Sequence, residues 1–492
     1  MARRRPILLL AALAAALASR ASAQDMVSRE TLHGMVEVRA MAADGERSWT
    51  GRGFGKTAAS GGAGGGWDAK AQVSQAVLEW RPRFSFALSA VVSGQYQAGA
   101  GHPRLDLDEA YLKLRTKPSP AGRLAVRAGV FYPPVSLEHE GVGWTSTELL
   151  SGSALNSWIG EEVKVGGIEA SAERRFGDHE LTATVAAFGW NDTSGTLLSF
   201  RGWALGEART GPSTRYRLPP LSPFMRFRQS PITSPMWEID RRGGWYARLE
   251  WRPPAPVVLD ALHYDNQGDR TGVSQVQWAW ETRFDDVGLT WRPTPAMRIR
   301  AQALSGRTWM GFATPQTWVD VSFRAAYLMA TRELGDGPLA PAASLRLDAF
   351  DTHDHTFTVI DNNDEHGWAA TAGAARSRPG PTSSWKPCAS RAPAPRERWR
   401  ARRRTRRRPS CRRRCGCTSE PAPSVSLADS SPANGGAILR ARSSTACGGG
   451  GSRRRRETEG AFGAQPAASL SIWACRACMK RPASAPLTTR WS

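Results

Sequence analysis

The chain has 492 residues and a formal net charge of +22, from 66 Lys and Arg against 44 Asp and Glu. The charge is segregated: residues 374–492 hold 26 basic and 5 acidic side chains, whereas residues 24–373 hold 36 and 39. The basic balance therefore says nothing about the main body, and a nucleic-acid reading would rest on the tail only. All seven cysteines (Cys388, Cys411, Cys415, Cys417, Cys447, Cys475, Cys478) also lie in the tail. The body holds no thiol for a disulfide or a zinc site.

In chain order, residues 1–23 read as a signal peptide. Arg3–Arg5 supply a positive start, Ile7–Ala18 an apolar run, and Ala21-Ser22-Ala23 a small-residue site, with cleavage expected between Ala23 and Gln24. The apolar run is too short to span a bilayer, which takes about 20 residues.

Residues 24–373 alternate with period two. Met297, Ile299, Ala301 and Ala303 share one face, while Arg298, Arg300 and Gln302 share the other; Trp245, Ala247, Leu249 and Trp251 oppose Tyr246, Arg248 and Glu250. Fourteen such segments are predicted, near 31–42, 68–80, 84–97, 105–116, 122–131, 158–173, 179–190, 244–252, 256–265, 275–291, 296–306, 317–331, 341–352 and 365–373. Most have the length of a tilted membrane strand. Short connections alternate with long ones. Glu79-Trp80-Arg81-Pro82, Glu250-Trp251-Arg252-Pro253 and Thr290-Trp291-Arg292-Pro293 share a turn signature. Proline ends the ladder because it has no N–H, and tryptophan suits a membrane–water boundary. The expected fold is all-β: a transmembrane antiparallel β-barrel with about 14 strands present of an expected 16, followed by a disordered Arg/Pro/Ser-rich tail over 374–492.

A lipid-facing wall rejects charge, so the charged faces are assigned to the lumen. They carry Arg248, Glu250, Glu281, Arg283, Arg298, Arg300, Asp320, Arg324, Arg346 and Asp348. The connection 191–243 is rich in Arg and Pro, and Arg215, Arg217, Arg226 and Arg228 are its candidate constriction residues. Gly-rich 51–66 lacks phosphate-loop spacing, because Thr50 stands where the first glycine is needed. His353, His355, Asp361 and Asp364 fall in one connection and are candidate metal ligands, set against an ordinary solvated loop. A barrel-embedded hydrolase would need Ser, His and an acid on one wall, and His33, His102, His179 and His263 offer no such pattern. No cofactor is called for.

Residues 127–138 read RAGVFYPPVSLE. Gly129, Phe131, Pro133, Pro134, Ser136, Leu137 and Glu138 resemble a segment of the phosphate-selective porin family of bacterial outer membranes. That resemblance implies a 16-stranded, water-filled, often trimeric barrel that passes anions. Its partners would be outer-membrane lipid, the barrel-assembly machinery and a homotrimer, not nucleic acid. The body departs from the family in being slightly acidic, without a Lys-rich stripe. A non-conducting structural or adhesive barrel is the alternative.

The tail has a second reading. Read one nucleotide upstream, every Trp codon and every Cys codon becomes NTG, which is Leu, Val or Met. Positions 411, 415 and 417 are thereby forced apolar, and 412–420 can read as an alternating strand ending in Phe at 419 and a stop. A one-base shift between about residues 369 and 385 would then hide the last two strands.

Overall fold

The computed structural model describes residues 26–59, 66–99, 101–312, 318–335, 340–356, 364–376, 443–448 and 472–475. The strands run β1 (Leu32–Asp44), β2 (Trp67–Trp80), β3 (Leu88–Gln97), β4 (Leu105–Arg115), β5 (Gly122–Phe131), β6 (Val165–Phe176), β7 (His179–Gly189), β8 (Tyr216–Arg217), β9 (Ile232–Thr233), β10 (Gly244–Arg252), β11 (Val257–Asp265), β12 (Val273–Ser274), β13 (Gln277–Trp278), β14 (Glu281–Thr294), β15 (Met297–Met310), β16 (Val319–Glu333), β17 (Pro341–Asp354), β18 (Glu365–Arg376), β19 (Ser443–Gly448) and β20 (Ile472–Cys475). Two helices, α1 (Ala154–Glu162) and α2 (Thr196–Arg201), lie in connections. Among the described residues no helix is long and apolar enough to cross a membrane.

Pairs β8–β9 and β12–β13 are small hairpins in connections; the other strands close into one barrel in sequence order. Fourteen of them, of 9 to 15 residues each, form an unbroken antiparallel series from β1 to β18. Short turns join β2–β3, β4–β5, β6–β7, β10–β11, β14–β15 and β16–β17 at one end of the barrel. The connections 45–66, 132–164 and 190–243 lie at the other.

The period-two pattern sorts side chains as expected along most of the wall. Val36, Leu78, Leu124, Ile168, Leu249 and Val287 are exposed on the outside. Trp251 and Trp291 are exposed at the short-turn end, where an amphipathic ring has a wet and a dry side. Gly129 has φ +144°, and a Cβ there would sit 2.1 Å from the Ala110 carbonyl oxygen. Only glycine allows β5 to approach β4 so closely.

Two sequence expectations shift. The segment 158–173 begins too early: residues 158–162 belong to α1, and β6 starts at Val165. The segment 275–291 opens instead with the β12–β13 hairpin, and β14 starts at Glu281. Short alternating runs in a loop mimic a strand because periodicity alone cannot see a turn.

Of the tail 374–492, residues 374–376 finish β18 and the short strands β19 and β20 are described; the rest lies outside the described residues, as do Ala23, Gln24 and Asp361. Strand β19 pairs antiparallel with β18, but β20 runs parallel to both β19 and β1.

Candidate permeation pathway

The interior at the long-loop end is a packed core. Phe131, Phe188, Tyr246, Tyr264, Phe284, Phe323 and Phe350 point inward from the strands and enclose Trp158 and Trp203 of the connections. The Trp158 ring lies 5.0 Å from Phe323 and 5.5 Å from Phe284. Each buried side chain of this size contributes about 1.5–3 kcal/mol. The connection that brings Trp158 inside is 132–164. Pro133 and Pro134 end the β5 ladder, and the chain turns into the lumen. Ser153 then caps α1 by accepting the Asn156 N–H at 3.2 Å.

Every residue of α1 is buried, including two carboxylates. Glu161 lies 2.7 Å from Arg201. Glu162 accepts the Trp158 indole N–H at 2.8 Å and the Leu197 N–H at 2.7 Å. Leu197 lies in the first turn of α2, whose N-cap Gly195 has no side chain to offer, so Glu162 completes that helix start from another element. Burial nonetheless pushes the Glu162 carboxyl up to about 7, against the pull of the Leu197 and Leu198 N–H groups.

The far wall holds this loop. Arg346 of β17 points inward and donates to Glu138 at 2.8 Å, Asp348 at 2.9 Å, the Ser151 carbonyl at 2.6 Å and the Gly152 carbonyl at 2.9 Å. Asp348 in turn accepts the Ala154 N–H at 3.1 Å, at the positive end of α1. Arg298 and Arg300 of β15 pair with Glu148, and Arg300 also reaches Glu140 at 2.8 Å. Gln302 donates to the Val135 carbonyl at 2.8 Å. Burial raises the Glu138 carboxyl, but Arg346, His139 and hydrogen bonds from Ser153 and Asn156 outweigh it, and the net shift is downward.

The opposite wall is open and carries a ladder of charge. Glu173 receives Arg123 at 3.0 Å and Arg175 at 2.7 Å; Arg175 continues to Glu180 at 3.1 Å. Arg252 joins Glu180 at 3.7 Å to Glu250 at 2.6 Å, and Arg248 joins Glu250 at 2.8 Å to Asp260 at 3.6 Å. The guanidinium tips face water more than their partners do. Arg123, Arg175 and Arg252 side chains are 35%, 35% and 46% exposed, against 11%, 16% and 13% for Glu173, Glu180 and Glu250.

Six residues assigned to the lumen do point inward: Arg248, Glu250, Arg298, Arg300, Arg346 and Asp348. Glu281, Arg283, Asp320 and Arg324 do not. They alternate with the buried Thr282, Phe284, Val321 and Phe323, so they lie on the outer surface near the long-loop end. There Arg307 pairs with Asp320 at 2.7 Å and Arg324 with Asp351 at 2.8 Å. Alternation identifies two faces without saying which is inside. At this end the inserted loop makes the inner face apolar, and the strand tops stand clear of the outer apolar band.

The connection 190–243 also enters the barrel, but through its first half. Arg201 and Arg209 are its buried cations; Arg209 donates to Gln95 at 3.0 Å and Gln75 at 2.8 Å. Of the constriction candidates, Arg215, Arg217 and Arg226 are exposed. Arg228 is half-buried, donating to the Phe224 carbonyl at 2.6 Å with its guanidinium 4.0 Å from the Phe224 ring. Sequence reasoning missed Glu140, Glu148, Arg201 and Arg209, and met Glu138 only as part of the 127–138 resemblance. The Ser153 cap ahead of ALNSWIGEE was the available signal for the loop that inserts.

His353 lies 3.1 Å from Asp364, and His355 lies 3.1 Å from the Ser322 hydroxyl, with the two imidazoles edge to face at 4.5 Å. Among the described residues, the group of three metal-capable side chains whose ligand atoms all lie within 4.8 Å of one another is instead Asp192, Glu238 and Asp240. Asp192 there accepts the Asp240 N–H at 3.1 Å, and burial pushes its carboxyl up to about 7.

A Ser–His–acid trio exists where the sequence showed none. The Ser136 hydroxyl lies 2.7 Å from His139 Nδ1, and His139 Nε2 lies 3.7 Å from Glu207. Ser136 also accepts the N–H groups of Glu138 and His139, at 3.1 and 3.3 Å. His139 is stacked on Trp144 at 3.8 Å, and its side chain is 1% exposed. This trio staples two inserted connections together and offers no open face to a substrate.

No family model matches the chain, and no curated protein matches it. Among solved structures it is similar to an anion-selective porin from Comamonas acidovorans, with 12% identity and a TM-score of 0.36 over 70% of this chain and 82% of that one. The outer membrane channel DcaP of Acinetobacter baumannii gives 11% and 0.32, over 69% and 95%. OmpF of Salmonella typhi gives 11% and 0.30, over 70% and 97%. At identities this low no residue role carries over from these structures to this chain.

Proposed function

We propose that this chain is an outer-membrane porin of a bacterial cell, giving passive diffusion to small hydrophilic solutes or ions. The observation that carries the reading is a barrel with an apolar outer band, an inward ladder of charge, and a connection folded into its lumen. Such a body lowers the barrier to crossing by offering a hydrated path, and its wall charges choose among ions. The ladder is balanced in sign, but its water-facing tips are Arg123, Arg175 and Arg252. The pore therefore prefers anions weakly. Phosphate itself has no dedicated site in this reading, and assembly as a homotrimer rests on the family resemblance alone.

Purified protein with the barrel's reading frame restored, in planar bilayers, tests this. Stepwise conductance with a reversal potential displaced toward the anion side is expected. Absence of conductance from correctly inserted barrels would leave the structural or adhesive barrel as the better reading. We also propose that the tail is the out-of-frame translation of the barrel's own C-terminus.

A further inference from the structure

The antiparallel series leaves one unfinished seam. Strand β1 pairs with β2 from Leu32 to Asp44, but its other edge is matched only at Ala42, Ala43 and Asp44, by β20. Among the described residues, Leu32–Met41 thus present a bare edge beside outward-facing Val36 and Val38. In hydrocarbon an unpaired backbone N–H or C=O finds no water to bond to, so an edge at this depth has to be filled.

The direction of the strands says what can fill it. Leu32 lies opposite Trp80 at the short-turn end, so β1 runs away from that end. Pro341 of β17, just after a short turn, lies opposite Arg376, so β18 runs toward it. Two antiparallel strands between them must run first away from and then back toward the short-turn end. Strand β19 has the first direction; β20 has the wrong one for the second. The place beside β1 belongs to a strand that ends at the short-turn end.

We propose that the β18–β1 seam is the docking edge for two strands encoded by this chain's own codons near 385–395 and 409–419, read one nucleotide upstream. This inference rests on the barrel reading and on the proposed shift of frame. The codon table forces Leu, Val or Met at 385, 388, 411, 415 and 417, Glu at 386, Arg or Trp at 416, and Tyr or His at 418. Positions 415 and 417 are apolar and 416 and 418 polar or amphipathic, which is the alternation of a lipid-facing wall. A strand over 409–419 would have the 11 residues of β4. Its last residue would lie near Leu32, so the odd positions face lipid beside Val36 and the even ones face the lumen.

The test compares the 492-residue chain with a version restored by one base, both folded in detergent. The restored chain is expected to give a compact, heat-modifiable form on gels, and the 492-residue chain to lack it. In the restored chain, Val36→Cys should form a disulfide with a cysteine placed at 413, 415 or 417 and not at 414 or 416. Equal compactness of the two chains would overturn the inference. So would Val36→Cys dimers linking two molecules, which would assign the edge to a second copy. A restored barrel that cross-links as expected but does not conduct would sink the porin reading and leave this one standing.

Discussion

The two walls of the barrel use the same residues for opposite ends. On β15 and β17, Arg298, Arg300 and Arg346 are spent on carboxylates of an inserted loop, and Arg300 and Arg346 are fully buried. Across the lumen, Arg123, Arg175 and Arg252 pair with neighbours in the wall and keep a third or more of their side chains exposed. A lumen-facing arginine is therefore not automatically a selectivity residue. What decides is whether a loop arrives to claim it.

The contrast can be broken most severely at Arg346. Replacing it by Ala strands Glu138 and Asp348 in a buried site, a change that costs about 3–5 kcal/mol. The barrel should unfold at lower temperature and conduct with larger, noisier steps as 132–164 comes free. Unaltered conductance and melting would show that the loop is held elsewhere. Next comes the double change Arg298→Gln and Arg300→Gln. It frees Glu140 and Glu148, and single-channel conductance should rise while Arg346 still anchors the start of α1.

On the open wall, Arg123→Gln, Arg175→Gln and Arg252→Gln together should move the reversal potential toward cations. Melting should change little, since exposed pairs contribute about 0–1 kcal/mol each. Glu162 sharpens the comparison through pH. Its carboxyl is raised from 4.5 to about 7, so the folded state holds the proton more tightly than the unfolded chain. Stability from this group is greatest below its ordinary value and declines as pH rises toward 7. Melting measured at about pH 5 and about pH 8 should differ less in Glu162→Gln than in the parent; Asp192 and Glu161, shifted upward by burial as well, keep part of the slope. The smallest effect is expected from neutralising Arg215, Arg217, Arg226 and Arg228, and a reversal-potential change as large as that of the open-wall triple would restore them as the constriction.

Much of the barrel was legible in the sequence, because period-two alternation and the Trp-Arg-Pro turns are local signals. The β10 end fell where its turn placed it, whereas β14 runs past Trp291 and Pro293 to Thr294, with a shift of register on the way. The orientation of β14 and β16 was not legible. Phe284 and Phe323 face inward only because Trp158 is there to meet them, and that contact joins residues far apart in the chain. The same holds for the inserted loop. Arg and Pro richness marked 191–243, but burial of 154–162 depends on Arg346 and Asp348, which no local pattern links to it. The trio at Ser136, His139 and Glu207 needed a partner from a second connection.

The Arg346 clamp also orders events during assembly. Its hydrogen bonds to Glu138 and Ser151 span separations of 208 and 195 residues, and contacts that distant form late because the intervening chain must first be closed. The N-terminal strands can therefore pair while residues 132–164 hang loose. The interior narrows only when β15 to β17 come into place, so a half-built barrel is a wider hole than the finished one.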